Sequence, residues 1–210
     1  DTSLYNYLKC PRERKQTEEI YRRVLDALVN IHTSATEHVA ECPLLQSRIF
    51  DHAYFRWETD YFLEQFVKGF CNRAIENVSG LTDELDHMAL KADSFPKTII
   101  HRDFQSQNIM VLPDGGLRII DFQGARMGPP AYDIASILWE PYNRLDNDLR
   151  ERLLEYYISQ VERVAGESFP TFKKGGRGDF EIEFSKSLIL CRLQRHMQAL
   201  GAYGFLSVVK

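Results

Sequence analysis

Apolar positions along the chain first recur with a helical period. After Pro11, Ile20, Val24 and Leu28 repeat every fourth residue, flanked by Tyr21, Leu25 and His32, which predicts a helix capped by Thr17. Residues 36–52 mix polar and apolar positions and predict loop with at most a short helix. Phe55–Phe70 predicts a second helix, with Phe55, Phe62 and Phe66 near one face and Tyr54, Trp57 and Tyr61 beside it. That aromatic stripe fits core packing, and its more exposed members fit the wall of a cleft. Thr82 is expected to start a third helix carrying Leu85, Met88 and Ala89.

The period then changes. Thr98-Ile99-Ile100 reads as a short strand. Ile109–Leu112 and Leu117–Ile120 flank Pro113-Asp114-Gly115-Gly116, and a turn-rich tetrapeptide between two apolar runs predicts a hairpin. Helical periodicity returns over Tyr132–Glu140, stopped by Pro141, and over Leu145–Ala165 and Glu181–Gly201, with a Gly- and Lys-rich loop expected at Gly166–Asp179. There is no internal repeat. The pattern predicts an α+β chain, mainly α, with helices around a small central hairpin.

Composition narrows the class. With 210 residues, 44% hydrophobic and 27% charged, the chain can bury a real core and is neither disordered nor a disulfide-dense miniprotein. The net charge of −4 lacks the basic excess of a nucleic-acid binder. Arg12, Arg14, Lys15, Arg22 and Arg23 do cluster, but Glu13, Glu18 and Glu19 interrupt them, as on a solvated helix face. Cys10, Cys42, Cys71 and Cys191 form no CxxC pair and read as buried, reduced thiols of a cytosolic protein. No apolar run approaches the roughly 20 residues that cross a membrane. The chain opens on Asp1-Thr2-Ser3, without a signal peptide or an initiator Met, so we expect a piece of something longer.

Candidate chemistry gathers around the hairpin. His101-Arg102-Asp103-Phe104-Gln105-Ser106-Gln107-Asn108 precedes it and Asp121-Phe122-Gln123 follows it. A tight turn folds the second strand beside the first, so Asn108 and Asp121 can meet at one end. A carboxylate and a carboxamide oxygen are hard ligands suited to Mg²⁺ shared with phosphate oxygens. Asp103, on the loop leading in, can face the same place and accept a hydroxyl proton. A lone Asp beside a strand is an ordinary turn residue. Asp and Asn five apart, then a hairpin, then Asp-Phe, is a joint pattern that turn chemistry does not demand.

These residues resemble the protein-kinase catalytic loop, H-R-D-x-x-x-x-N, and the start of the D-F-G segment. The longer text HRDFQSQNIMV followed by IIDFQGARMGPPAYDIASIL is similar to the aminoglycoside phosphotransferase and choline kinase superfamily. Within it, the chain most resembles bacterial kinases of the anomeric hydroxyl of N-acetylmuramate and N-acetylglucosamine. The strong match spans about residues 99–140, and LQRHMQALGAYGF near the C-terminus also looks like those relatives. The resemblance implies ATP as co-substrate, Mg²⁺, a small-molecule alcohol as acceptor and a cytoplasmic enzyme without nucleic-acid or membrane partners. It makes Asp103 the catalytic base, Asn108 and Asp121 the Mg²⁺ ligands, and Met110 and Ile120 the floor of the adenine pocket. His101 would anchor the catalytic loop beside Arg102, and Asp133 would accept backbone N–H groups of that loop rather than merely favour a helix N-terminus.

Several positions depart from the protein-kinase pattern. Gln105 stands where many protein kinases carry Lys, Gln123 replaces the Gly of D-F-G, and no A-P-E segment follows. Gly175-Gly176-Arg177-Gly178 follows the catalytic loop and lacks the spacing of a phosphate-covering loop. DTSLYNYLK resembles the segment just after a kinase hinge. We therefore expect residues 1–210 to be a kinase-like C-terminal lobe, inactive alone, whose N-terminal nucleotide lobe is missing. Residues 99–123 would form its catalytic loop, hairpin and metal-binding segment. The expected acceptor is an amino sugar, at its anomeric hydroxyl by the resemblance; the alternatives are an aminoglycoside or a choline-like alcohol, cationic acceptors for which Glu58, Asp60 and Glu64 hint at an acidic cleft. A kinase-like binding module without turnover is the remaining alternative. Arg126 reads equally as an anion contact or a surface residue.

Overall fold

The computed structural model describes residues 1–165 and 177–209. Helix α1 (Leu4–Lys9) follows a two-residue strand β1 (Thr2–Ser3). Helix α2 (Arg14–Asn30) buries Ile20, Tyr21, Val24, Leu25, Leu28 and Val29, the stripe that its periodicity predicts. It starts earlier than Thr17. Glu13 and Gln16 form a capping box that satisfies the first-turn N–H groups, and the Thr17 hydroxyl only bonds back to the Glu13 carbonyl. The helix runs on into a π-helical turn at Ile31–Ala35.

Residues 36–52 hold a short turn and the five-residue helix α3 (Pro43–Ser47). Helix α4 (His52–Phe62), capped by Asp51, passes into a π-helical stretch at Leu63–Phe70. That change of pitch splits the aromatic stripe. Phe55 alone is buried in the core, whereas Tyr54, Trp57 and Tyr61 form one ring stack and Phe62, Phe66 and Phe70 another, both partly exposed. Helix α5 (Val78–Asp93) begins four residues before Thr82, because Asn77 accepts from the Gly80 N–H and caps it there.

The predicted hairpin is β3 (Ile109–Val111) with β4 (Leu117–Ile119), and β1 adds to its edge beside β3. Gly115, at φ +84°, takes the left-handed position in the turn, where a side chain would be strained. Strand β2 (Thr98–Ile100) pairs antiparallel with β5 (Arg126–Gly128). Two-residue β1 and three-residue β5 are too short to carry a readable alternation.

Helix α6 (Ala131–Leu138) is buried at every position, and packs against α8 (Arg177–Val209), which also lies along α4. Helix α7 (Asn147–Ala165) closes the other side against α2. Helix α8 extends beyond the expected Glu181–Gly201 at both ends. Residues 166–176, including most of the expected glycine-rich loop and Gly175-Gly176, lie outside the described residues. All four cysteines are free, but only Cys191 is buried; Cys10 and Cys71 are exposed and Cys42 lies between. Among the described residues no helix is long and apolar enough to cross a membrane. The chain is thus a mainly helical α+β fold with two small antiparallel sheets at its centre.

Candidate active site

The loop between β2 and β3 is pinned by buried groups. Asp133, in the first turn of α6 and fully buried, accepts the backbone N–H of His101 at 2.6 Å and of Arg102 at 2.8 Å. Its Oδ2 also lies 3.3 Å from His32 Nε2, and His32 Nδ1 lies 2.7 Å from the Tyr157 hydroxyl. The π-helical turn after α2 thus turns a histidine onto the residue that holds the loop. Below the loop, His101 Nε2 is 3.0 Å from the Ile120 carbonyl, so His101 ties the loop to the exit of the hairpin. Phe104 is buried beside it, and Ser106 donates its N–H to Glu140 Oε2 at 2.8 Å.

Held this way, the Asn108 side chain comes against the Asp103 backbone and the Asp121 carboxylate. Asn108 Nδ2 donates to the Asp103 carbonyl at 2.9 Å and lies 3.5 Å from Asp121 Oδ2. The β-ladder continues past its last strand residue, with the Ile120 N–H donating to the Asn108 carbonyl at 3.0 Å, which fixes where Asp121 emerges. Asp121 adopts φ +70°, a left-handed conformation that a non-glycine residue reaches at some cost, and its carboxylate is exposed. Gln123 donates to Asp121 Oδ1 at 2.5 Å. The turn that follows returns to Asp103: a Cβ on Gly124 would sit 3.7 Å from Asp103 Oδ2.

Among the described residues no three His, Cys, Asp or Glu side chains could hold a metal ion by themselves. The donor set of Asp121 and the Asn108 amide oxygen fits a hard divalent cation that takes its other ligands from phosphate and water. Met110 pairs with Arg118 and Ile120 follows Ile119, so Met110 and Ile120 share the outer face of the hairpin, opposite buried Ile109 and Val111. Phe122, 70% exposed, stands next to them.

On the other side of Asp103 lies a cleft of about 120 Å³ between α6 and α8. Trp139, Tyr142 and Tyr203 give it flat walls, and Gln105, Glu140 and Arg195 give it polar ones. Arg195 Nη2 is 3.6 Å from Asp103 Oδ1 and 3.3 Å from Gln105 Oε1, and its Nε donates to the Ser136 hydroxyl at 3.1 Å. Glu140 is 7% exposed, and its Oε1 has no hydrogen-bond partner. Burial pushes its carboxyl up to about 7, against the downward pull of Ser106 and Arg195.

The acidic hint on α4 does not reach this cleft. Glu58 is fully buried beneath Arg102, while Asp60 pairs with Arg56 and Glu64 with Lys68. Burial pushes the Glu58 carboxyl up, against Arg102, Gln194, Arg195 and Tyr132. Arg126 is half-buried with its guanidinium 3.9 Å from the centre of the Tyr54 ring.

Residues 2–167 match the phosphotransferase enzyme family, known as APH. The chain belongs to this family. No curated protein matches the sequence. Among solved structures it is similar in fold to choline kinase from Cryptosporidium parvum Iowa II, with a TM-score of 0.57 at 14% identity. That likeness covers 91% of this chain and 64% of the choline kinase chain.

Within an APH phosphotransferase fold, His32, Glu140 and Arg195 are polar residues around the site that sequence reading left unassigned, and Glu58 was read only as part of an acidic cleft. Arg195 lies in the C-terminal stretch LQRHMQALGAYGF, whose resemblance was visible but carried no role. His32 sat among apolar positions of a helix and looked like core. Glu140 carried a faint signal, an acid placed between Trp139 and Pro141 at the end of an apolar helix.

Proposed function

We propose that the chain is the C-terminal lobe of an ATP- and Mg²⁺-dependent cytoplasmic kinase that phosphorylates a hydroxyl of an amino sugar. The observation that carries the reading is the position of Asp103: its carboxylate opens on the cleft, while Asn108 links its backbone to Asp121. A hydroxyl in the cleft would give its proton to Asp103 as its oxygen bonds to the γ-phosphorus. The bond to the bridging oxygen then breaks and ADP leaves. Asn108 and Asp121 would hold Mg²⁺, which neutralises charge on the phosphate oxygens. Met110 and Ile120 would floor the adenine, and an N-terminal lobe would cover the nucleotide from above. His101, Arg102 and Asp133 would keep the loop in place.

Arg195 favours the sugar. A guanidinium 3.6 Å from Asp103 suits a neutral or acidic acceptor and repels a cation. Trp139, Tyr142 and Tyr203 suit the apolar face of a pyranose. The same aromatic walls with Glu140 support a second reading, a quaternary-ammonium alcohol such as choline. The deciding experiment supplies the full-length protein with ATP labelled in its γ-phosphate and a panel of N-acetylated amino sugars, aminoglycosides and choline. Label on an amino sugar, lost when its anomeric carbon is reduced to the alditol, is the expected result. Label on choline alone selects the second reading, and no acceptor-dependent label with any of them leaves a binding module without turnover.

A further inference from the structure

Glu58 is out of place as a packing residue. It sits on α4 at 0% exposure, in a helix whose other buried positions are Phe55 and Thr59. Burying a carboxylate costs several kcal/mol unless partners replace its water. Here three partners do. The Tyr132 hydroxyl donates to the carboxylate, 3.0 Å from each oxygen, and Gln194 Nε2 donates at 3.1 Å. The third is Arg102, whose Nε lies 3.8 Å from Glu58 Oε1. Among the described residues no other carboxylate lies within ion-pair distance of Arg102, and its buried Nε makes no hydrogen bond.

Arg102 is the neighbour of Asp103, and its backbone is in the left-handed region at φ +76°. That conformation is unfavourable for a non-glycine residue, so something must hold it. Asp133 holds the Arg102 N–H, and the side chain is held at the far end, against Glu58 and 5.5 Å from the centre of the Tyr54 ring. With the Arg102 side chain drawn inward to α4, the next residue is turned outward to the cleft. The same guanidinium lies near the turn after Asp121, where a Cβ on Gly124 would be 3.7 Å from Arg102 Nη1.

We propose that Glu58 is a positioning residue: its buried carboxyl group, acting through Arg102, sets the aim of Asp103. The inference rests on the phosphotransferase reading above and adds to it a residue from a helix outside every motif. Phosphoryl transfer depends on alignment, so a loosened Asp103 slows the chemical step without weakening either substrate's binding.

The test is a mutant cycle in the full-length protein, with kcat and both KM values measured on folded enzyme. Glu58→Gln preserves shape and replaces the carboxyl group with a neutral amide. It is expected to lower kcat roughly 10–100-fold with both KM values within about two-fold of the parent. The double variant Glu58→Gln with Arg102→Gln should be no slower than Arg102→Gln alone, because coupled residues act as one unit. A folded Glu58→Gln enzyme with parental kcat overturns the proposal, and so do two effects that multiply. If Glu58→Gln does not fold, Arg102→Lys takes its place: it keeps the charge and loses the planar fork, and it should lower kcat with KM unchanged. Parental kcat in Arg102→Lys then overturns the proposal. Asp103→Asn, run in the same series, separates the two levels. Inactive Asp103→Asn beside a fully active Glu58→Gln rejects Glu58 alone, whereas active Asp103→Asn rejects the phosphotransferase reading itself.

Discussion

At the residue scale, the chemistry depends on carboxylates placed in unlike surroundings. Asp121 is exposed, Asp133 is buried against two backbone N–H groups, and Glu140 is buried with one oxygen unpartnered. Glu140 makes a pH-dependent contribution whose sign follows from its raised pKa. Between about 4.5, its ordinary value, and about 7, the folded protein keeps a proton that the unfolded chain has released. The stability it contributes is therefore complete below the lower value and lost as pH rises through the upper one. Denaturant unfolding of the parent should show a fall of roughly 3 kcal/mol across that window that Glu140→Gln lacks. Parallel pH profiles for the two proteins would show that Glu140 is ionised throughout. None of this could be read from the sequence, where Glu140 is one acid among thirty acidic residues. The closeness of Asn108 and Asp121 was legible because a hairpin fixes it from nearby in the chain. Arg195, ninety-two residues beyond Asp103, reaches the site only through the packing of α8.

At the scale of elements, long amphipathic helices were readable and their ends were not. The core stripe of α2 follows from periodicity, but caps such as Glu13 and Asn77 and the π-helical pitch after Phe62 depend on local hydrogen bonding. The pitch change matters because it brings the Leu63–Phe70 stretch against α8 at its glycines. A Cβ on Gly204 would lie 2.4 Å from the Gln65 carbonyl oxygen, and one on Gly201 2.7 Å from the Tyr61 ring. In an open helix Gly→Ala stabilises by roughly 1 kcal/mol. Here backbone stands in the way, and overpacking typically costs about 1–3 kcal/mol. Gly204→Ala should therefore destabilise the protein in urea unfolding. A gain in stability would mean that α8 can move off α4 freely, and with it Arg195 at the cleft.

At the scale of the whole molecule, the 210 residues surround the proposed site from one side. The catalytic loop, the hairpin and the cleft between α6 and α8 form a base, and Met110, Ile120 and exposed Phe122 present an apolar edge beside Asp121. An apolar edge next to a phosphate site suits a second lobe closing over the nucleotide. Fold class was legible here because one hairpin among long helices leaves few arrangements. The acceptor was not, because its cleft is assembled from α6, α8 and the loop between β2 and β3. The proposed function ties the molecule together through a base held at the cleft and a metal site held beside it. The most direct measurement is turnover and Mg²⁺–ATP binding of Asp103→Asn in the full-length protein. Turnover should fall roughly 10²–10⁴-fold, the range for loss of a general base, while calorimetric Mg²⁺–ATP affinity stays at the parental value. Near-parental turnover in a folded Asp103→Asn protein would contradict the assignment of the site.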